Sequence, residues 1–180
     1  MKKLEDLTQE DIDQMSYNEL ISITRETNRP PGGIKTLKTV LREAFIAPHH
    51  KILEVGTSTG FTAIELARLS GANITGIDIN ERSIEEATSR AIKSGVQNHV
   101  RFEVNNAMGF SYQDSSFDVV FCGNVTSYIP DRQKALSEYC RVLKDGGFLV
   151  AVPMFYLRTP PESLISRVSE AIKFTINPEY

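Results

Sequence analysis

The spacing of apolar and polar positions changes character near residue 51. Before that point the period is helical. Ser16 and Glu19 form a capping box ahead of Leu20, Ile21 and Ile23, and Thr8 can cap a shorter helix upstream. Ile34, Leu37, Val40, Leu41, Ala44 and Phe45 then mark one face of a longer helix that Pro48 stops. Between these blocks Asn28-Arg29-Pro30-Pro31-Gly32-Gly33 predicts a loop or hinge. From Lys51 onward, short apolar runs alternate with helical stretches. Strands are predicted at Lys51–Val55, Asn73–Asp78, His99–Val104, Phe117–Cys122 and Gly147–Val152, with helices at Gly60–Leu69, Arg82–Ser94, Arg132–Leu143 and Pro161–Ile172. Near-continuous apolar strands separated by helices predict an α/β fold with a doubly wound, mostly parallel sheet covered on both faces. The predicted division is an N-terminal helical extension or lid over 1–33 and a main domain over 34–180.

Composition narrows the class. With 41% hydrophobic and 24% charged residues in 180, the chain is an ordinary globular domain, neither disordered nor a coiled coil. Its longest apolar run, Phe148 to Leu157, includes Pro153 and falls far short of the ~20 residues that cross a bilayer. Acidic residues Glu5, Asp6, Glu10 and Asp11 follow Lys2 and Lys3 where a signal peptide needs an apolar stretch, so a cytoplasmic location is expected. Cys122 and Cys140 lack metal-site or disulfide-framework spacing. A net charge of -3 disfavours broad nucleic-acid binding, which needs clustered Lys and Arg.

The strongest chemical signal is Ile52-Leu53-Glu54-Val55-Gly56-Thr57-Ser58-Thr59-Gly60-Phe61, a strand that breaks into a small-residue turn and continues as a helix. Gly56 and Gly60 lack the Cβ atoms that would block a ligand from the backbone, and the helix offers free N–H groups in its first turn. A dinucleotide fingerprint fails, because Ser58 and Phe61 stand where GxGxxG needs glycine; a P-loop fails for want of Gly-Lys-Ser/Thr. A tight turn with no ligand is the bland alternative. Asp78 ends the second strand, where a carboxylate can accept from ribose hydroxyls or serve the N-terminus of the next helix, and both roles can coexist.

These blocks, in this order over roughly residues 34 to 155, resemble the class I S-adenosylmethionine-dependent methyltransferases. ILEVGTSTG resembles the first motif, with Ser58 in place of its middle glycine. TGIDIN resembles the second, which implies that Asp78 holds the ribose and Ile79 packs on adenine. VRFEVNNAMGF resembles the third, with Asn106-Ala107 where the family often has Asp-Ala; Asn106 would accept from the adenine amino group without charge. SFDVVFCGNVTSYIPD resembles the fourth and implies that Cys122, Gly123 and Asn124 lie beside the methionine portion. RVLKDGGFLVAVP resembles the fifth strand and its turn, where Asp145, Gly146 and Gly147 are structural. The resemblance implies a cofactor set of Glu54, Gly56, Thr57, Ser58, Gly60, Asp78, Ile79, Asn106, Ala107, Met108, Cys122 and Asn124. It further implies S-adenosylmethionine as methyl donor, S-adenosylhomocysteine as product, and a small molecule as acceptor, with a protein side chain as the other candidate.

Other residues read more plainly. His49, His50 and His99 fall at the amino ends of strands, away from the crevice of such a fold, and no Asp/Glu/His cluster has metal spacing. Tyr128 is placed to touch an acceptor or to pack under its loop. Cys122 reads as a small buried hydrophobe. Glu85, Glu86 and Arg82 read as a solvated helix face. The family's sheet has seven strands and this sequence supplies five, with Lys173–Asn177 as a candidate start of a sixth. The fifth strand is therefore expected to be an apolar edge, met by truncation from a longer enzyme, by pairing with a second copy or partner subunit, or by the N-terminal helices folding over it. Ser58, Asn106 and the strand count also admit a catalytically silent, methyltransferase-like binding subunit. A nicotinamide oxidoreductase is disfavoured by the failed fingerprint.

Overall fold

The computed structural model describes residues 4–24, 27, 29–152 and 157–172. Its strands are β1 (Lys51–Val55), β2 (Asn73–Asp78), β3 (Val100–Val104), β4 (Phe117–Gly123) and β5 (Leu143–Val152). All pairings are parallel, in the order β3-β2-β1-β4-β5. The helices are α1 (Gln9–Gln14), α2 (Tyr17–Thr24), α3 (Ile34–Glu43), α4 (Phe61–Ser70), α5 (Glu81–Lys93), α6 (Arg132–Val142) and α7 (Glu162–Ile172). The strand order reverses between β1 and β4, so a crevice opens at the carboxyl ends of those two strands. The expected doubly wound sheet is the one observed.

Alternation along β1 sorts the two cores. Ile52 packs with Leu37 and Val40 of α3 and with Ala63, Leu66 and Ala67 of α4, while Leu53 and Val55 pack on the opposite face with Ile77, Val120 and Tyr139 of α6. Glu54 lies between Leu53 and Val55 in sequence, so the pleat turns it toward α4.

Two boundaries differ from expectation for local reasons. The helix over 34–45 ends before Pro48 is reached. Ile46 N–H bonds the Leu41 carbonyl at 3.0 Å and Phe45 N–H the Arg42 carbonyl at 3.3 Å, a Schellman closure. Phe45 therefore occupies the left-handed slot (φ +50°) usually taken by glycine, is 75% exposed, and tilts against Phe148 at 6.2 Å. The fifth strand begins at Leu143 rather than Gly147. Leu143 pairs with Phe117 and Phe148 with Val119, so residues 144–147 bulge out, with Gly146 at φ +75° and a Cβ on Gly147 only 2.9 Å from the Asp118 carbonyl.

Both N-terminal capping boxes form: Thr8 with Asp11, and Ser16 with Glu19. The described part of the following segment runs toward the carboxyl ends of the sheet. Thr27 accepts from Arg90 of α5 at 3.2 Å, the Arg29 guanidinium lies 5.3 Å from the Phe61 ring centroid, and Pro30 Cβ comes within 3.9 Å of a Cβ placed on Gly123. These contacts lie on α4, α5 and the end of β4, and among the described residues they do not form a cover over the outer edge of β5. Phe148 and Leu149 of that strand are each 39% exposed. The candidate sixth strand at Lys173–Asn177 lies outside the described residues. Among the described residues no helix is long and apolar enough to cross a membrane.

Candidate functional site

The turn from β1 to α4 is wired from three elements. Glu54, buried under the turn, accepts from the Thr57 hydroxyl at 2.6 Å and from Ala63 N–H at 3.0 Å. From β2, Asp78 accepts Ser58 N–H at 2.9 Å on one oxygen and Asn80 N–H at 3.0 Å on the other. The Ile77 carbonyl takes the N–H groups of both Gly56 and Thr57, at 2.9 and 2.8 Å. On α5, Arg90 Nη1 donates to the hydroxyl of the fully buried Thr59 at 3.0 Å.

These bonds hold a run of unusual backbone. Gly56, Ser58 and Gly60 all have positive φ (73°, 49° and 85°), so a serine sits where glycine is favoured. The glycines make room for protein more than for ligand. A Cβ on Gly56 would meet Val125 Cγ2 at 2.5 Å, and one on Gly60 would meet Ala87 and Phe102 at 2.9 Å. The expectation that both glycines clear a path to the backbone is therefore revised: packing against the β4–α6 loop, α5 and β3 demands them.

Burial sets the electrostatics. It pushes the Glu54 carboxyl up from the usual 4.5 to about 7, against the pull of bonds from Thr57, Thr62 and Ala63 and with a further push from Asp78. Asp78 is raised by burial too, opposed by the backbone bonds it accepts. Both carboxyls are thus held above their ordinary range, which keeps a share of Glu54 protonated near neutral pH.

The remaining predicted residues divide between mouth and core. Ile79, beside Asp78, is 67% exposed at the mouth. Asn106 Oδ1 accepts Met108 N–H at 2.9 Å, closing a tight turn, and Asn105 N–H bonds the Asp78 carbonyl at 3.0 Å, so this stretch borders the end of β2. Ala107 is buried beneath it. Arg141 of α6 steadies the same connection by donating to the carbonyls of Phe110 and Tyr112 at 3.2 and 2.7 Å. Glu54, Thr57, Gly60 and Cys122 all face protein. Burial raises the Cys122 thiol, as expected of a small buried hydrophobe.

Across the crevice, Asn124 follows β4 in a left-handed conformation (φ +57°) and donates its N–H to the Val152 carbonyl at 2.9 Å. Its Oδ1 is buried with no hydrogen-bond partner among the described residues. Tyr128 lies half-buried in a single 3-10 turn, Thr126–Tyr128. Below that turn the hydroxyls of Thr126 and Tyr139 are 3.4 Å apart, and burial pushes the Tyr139 phenol up to about 12. His49 and His50 stack edge to face before β1, and His99 precedes β3, all at amino ends as expected. No metal-binding group occurs among the described residues.

Sequence reasoning missed Arg90 and Val125. For Arg90 the signal was present: Glu86 pairs with it at i,i+4 (2.8 Å), a half-buried bridge where the sequence suggested a solvated face. For Val125 no sequence signal exists, because its contact with Gly56 depends on β1 and β4 being neighbours.

A parallel sheet with a pinned small-residue turn after its first strand and a carboxylate ending its second defines a doubly wound domain that binds its ligand at the switch point. Residues 46–171 match the family described as methyltransferase domain, and the chain belongs to that family. An uncharacterized protein of Haemophilus influenzae is 29% identical over 168 residues, 92% of this chain and 66% of that one. The 27-O-demethylrifamycin SV methyltransferase of Amycolatopsis mediterranei is 38% identical over 114 residues, 63% of this chain and 42% of the enzyme. The crystal structure of MccD protein superposes with a TM-score of 0.78 at 31% identity, covering 84% of this chain and 67% of that one. The chain thus spans roughly two thirds or less of the curated relatives it matches.

Proposed function

We propose that this protein moves a methyl group from S-adenosylmethionine to a small-molecule acceptor and releases S-adenosylhomocysteine. The observation that carries the reading is the Asp78 carboxylate, tied to the β1–α4 turn through Ser58 N–H at 2.9 Å and flanked by the 67%-exposed Ile79. A carboxylate offers about four acceptor positions, so the backbone bonds from Ser58, Ile79 and Asn80 still leave capacity for a ribose hydroxyl. Ile79 supplies an apolar surface for the base. The buried Asn124 Oδ1, without a hydrogen-bond partner among the described residues, fits a donor such as the ammonium of a methionine tail. In this assignment Gly56, Thr57, Ser58 and Gly60 shape the turn, Asn106, Ala107 and Met108 border the adenine, and Cys122 and Asn124 border the methionine end.

When bound, the cofactor supplies a methyl group activated on sulfur; the chain supplies placement, the main requirement of an in-line displacement. The small-molecule acceptor is supported by the family and by the name of the Amycolatopsis relative; a protein side chain is the second candidate, and the net charge of -3 weighs against nucleic acid. The N-terminal helices and the Pro30–Gly33 loop are read as a lid or acceptor wall, which divides the chain into a 1–33 lid and a 34–180 catalytic domain. Free Cys122 and Cys140 suit a reducing cytoplasm. The exposed Phe148 and Leu149 on the described sheet edge suit self-association or a partner subunit, which light scattering at micromolar concentration tests.

Calorimetric titration with S-adenosylmethionine and S-adenosylhomocysteine tests the central assignment. Micromolar binding of both is expected, and a folded sample that binds neither overturns it. A second reading, a catalytically silent binding subunit, is favoured by Ser58 in the left-handed region and by Asn106 Oδ1 already bonded to Met108 N–H. Cofactor binding without turnover over a panel of acceptors would favour it.

A further inference from the structure

We infer that Arg90 is a positioning residue that couples the N-terminal segment to the cofactor turn, an inference that rests on the cofactor reading above. Arg90 sits on α5, outside every motif block of the sequence, with a side chain only 20% exposed. Its Nε pairs with Glu86 at 2.8 Å, which fixes the plane of the guanidinium. Its Nη1 then reaches two hydroxyls from distant parts of the chain: Thr59 in the turn at 3.0 Å and Thr27 ahead of the Pro30 loop at 3.2 Å.

The position of Thr59 gives this bond its leverage. Thr59 stands between Ser58 and Gly60, both left-handed, so this segment has no regular ladder of its own. Two anchors come from the sheet, Glu54 below and Asp78 beside the turn, and Arg90 is the anchor from the helix layer. Because the same nitrogen also holds Thr27, an arrangement of the turn that suits the cofactor also suits the segment that carries Arg29 onto Phe61 and Pro30 toward Gly123. A planar, fixed fork is pre-organised to bridge these groups, whereas a lysine ammonium on a flexible stem must give up more freedom to do so.

The test uses the whole chain and S-adenosylhomocysteine as probe. Arg90→Met keeps the length of the side chain and removes its donors. It is expected to weaken binding about fivefold to tenfold, the equivalent of one or two hydrogen bonds. Arg90→Lys is expected to fall between Arg90→Met and the parent protein. Thr27→Val should weaken binding about twofold alone and add nothing in the Arg90→Met background, since both remove the same link. A purely structural Arg90 would lower the melting temperature of Arg90→Met and leave its affinity at the parent value, which overturns the inference, as would full additivity of the two substitutions. If the parent protein binds no S-adenosylhomocysteine, the cofactor reading fails separately, and amide exchange decides. Gly60 N–H, bonded to the Thr57 carbonyl at 2.9 Å, should exchange severalfold faster in Arg90→Met; an unchanged rate overturns the positioning role.

Discussion

The two loops that flank the switch point are built on opposite principles. The β1–α4 turn is held by polar anchors from β1, β2 and α5, each between 2.6 and 3.0 Å. The β4–α6 loop is held mainly through its own backbone, with Asn124 N–H on the Val152 carbonyl and Tyr128 N–H on the Val125 carbonyl, both at 2.9 Å, and its left-handed Asn124 keeps a buried Oδ1 with no partner among the described residues. A buried polar network is rigid when satisfied, whereas a loop with spare hydrogen-bonding capacity can accept a ligand. Under the proposed function, this contrast would serve a division of labour in which one side of the crevice holds an unvarying cofactor and the other adapts to the acceptor.

Substitutions can break or sharpen this contrast. The largest effect is expected from Gly56→Val, where a branched side chain must adopt φ +73° and meet Val125 at 2.5 Å; a loss of roughly 4 kcal/mol and of cofactor binding should appear in denaturant titration and calorimetry. It tests the close packing of Val125 on Gly56 that brings the two loops together.

Next comes Glu54. Its folded pKa of about 7 lies above its ordinary 4.5, so the folded state holds this proton more tightly than the unfolded state. The stability it contributes is fully present below about pH 4.5 and is lost as pH rises through 7. At about 1.4 kcal/mol per pKa unit this amounts to roughly 3 kcal/mol, and Glu54→Gln should flatten the pH dependence of unfolding over that window. An unchanged slope would mean that the anchor is ionised throughout.

Asp78→Ala should weaken S-adenosylhomocysteine binding roughly tenfold or more, through lost charge-assisted bonds and a freed Ser58 N–H. Unchanged affinity in a folded variant would defeat the ribose assignment. A smaller effect of opposite sign is expected from Ser58→Gly, which removes a left-handed serine and should stabilise by roughly 1 kcal/mol in thermal unfolding. Smallest, Tyr139→Phe should cost under about 1 kcal/mol, because the bond at 3.4 Å is long; a larger loss would show the acceptor-side loop to be as tightly held as the turn.

Much of this was legible in the chain. The period change at Lys51 located every strand and placed β1 and β2 to the residue, because parallel strands buried on both faces read as apolar runs with abrupt ends. The site was legible as residue types at the ends of strands: glycines, Asp78, Asn124. Their partners were less legible. Gly60 looked like a ligand approach and faces Ala87 and Phe102; Glu86 looked solvated and bridges Arg90; Phe45 looked like core and caps a helix in the exposed left-handed slot.

What the sequence determined by itself is whatever follows from local order: the alternation of strands and helices, the break after Val55, the acid ending β2, the cap at Thr8 and the capping box at Ser16. Periodicity, capping and turn chemistry act over a few residues, so they can be read from a few residues. The tertiary structure alone decided which distant groups meet. Val125 rests on Gly56 because β4 is laid beside β1, and Arg90 joins Thr27 to Thr59 because α5 packs over the turn. The raised carboxyl of Glu54 has the same origin, since desolvation exists only once α4 has closed over the sheet.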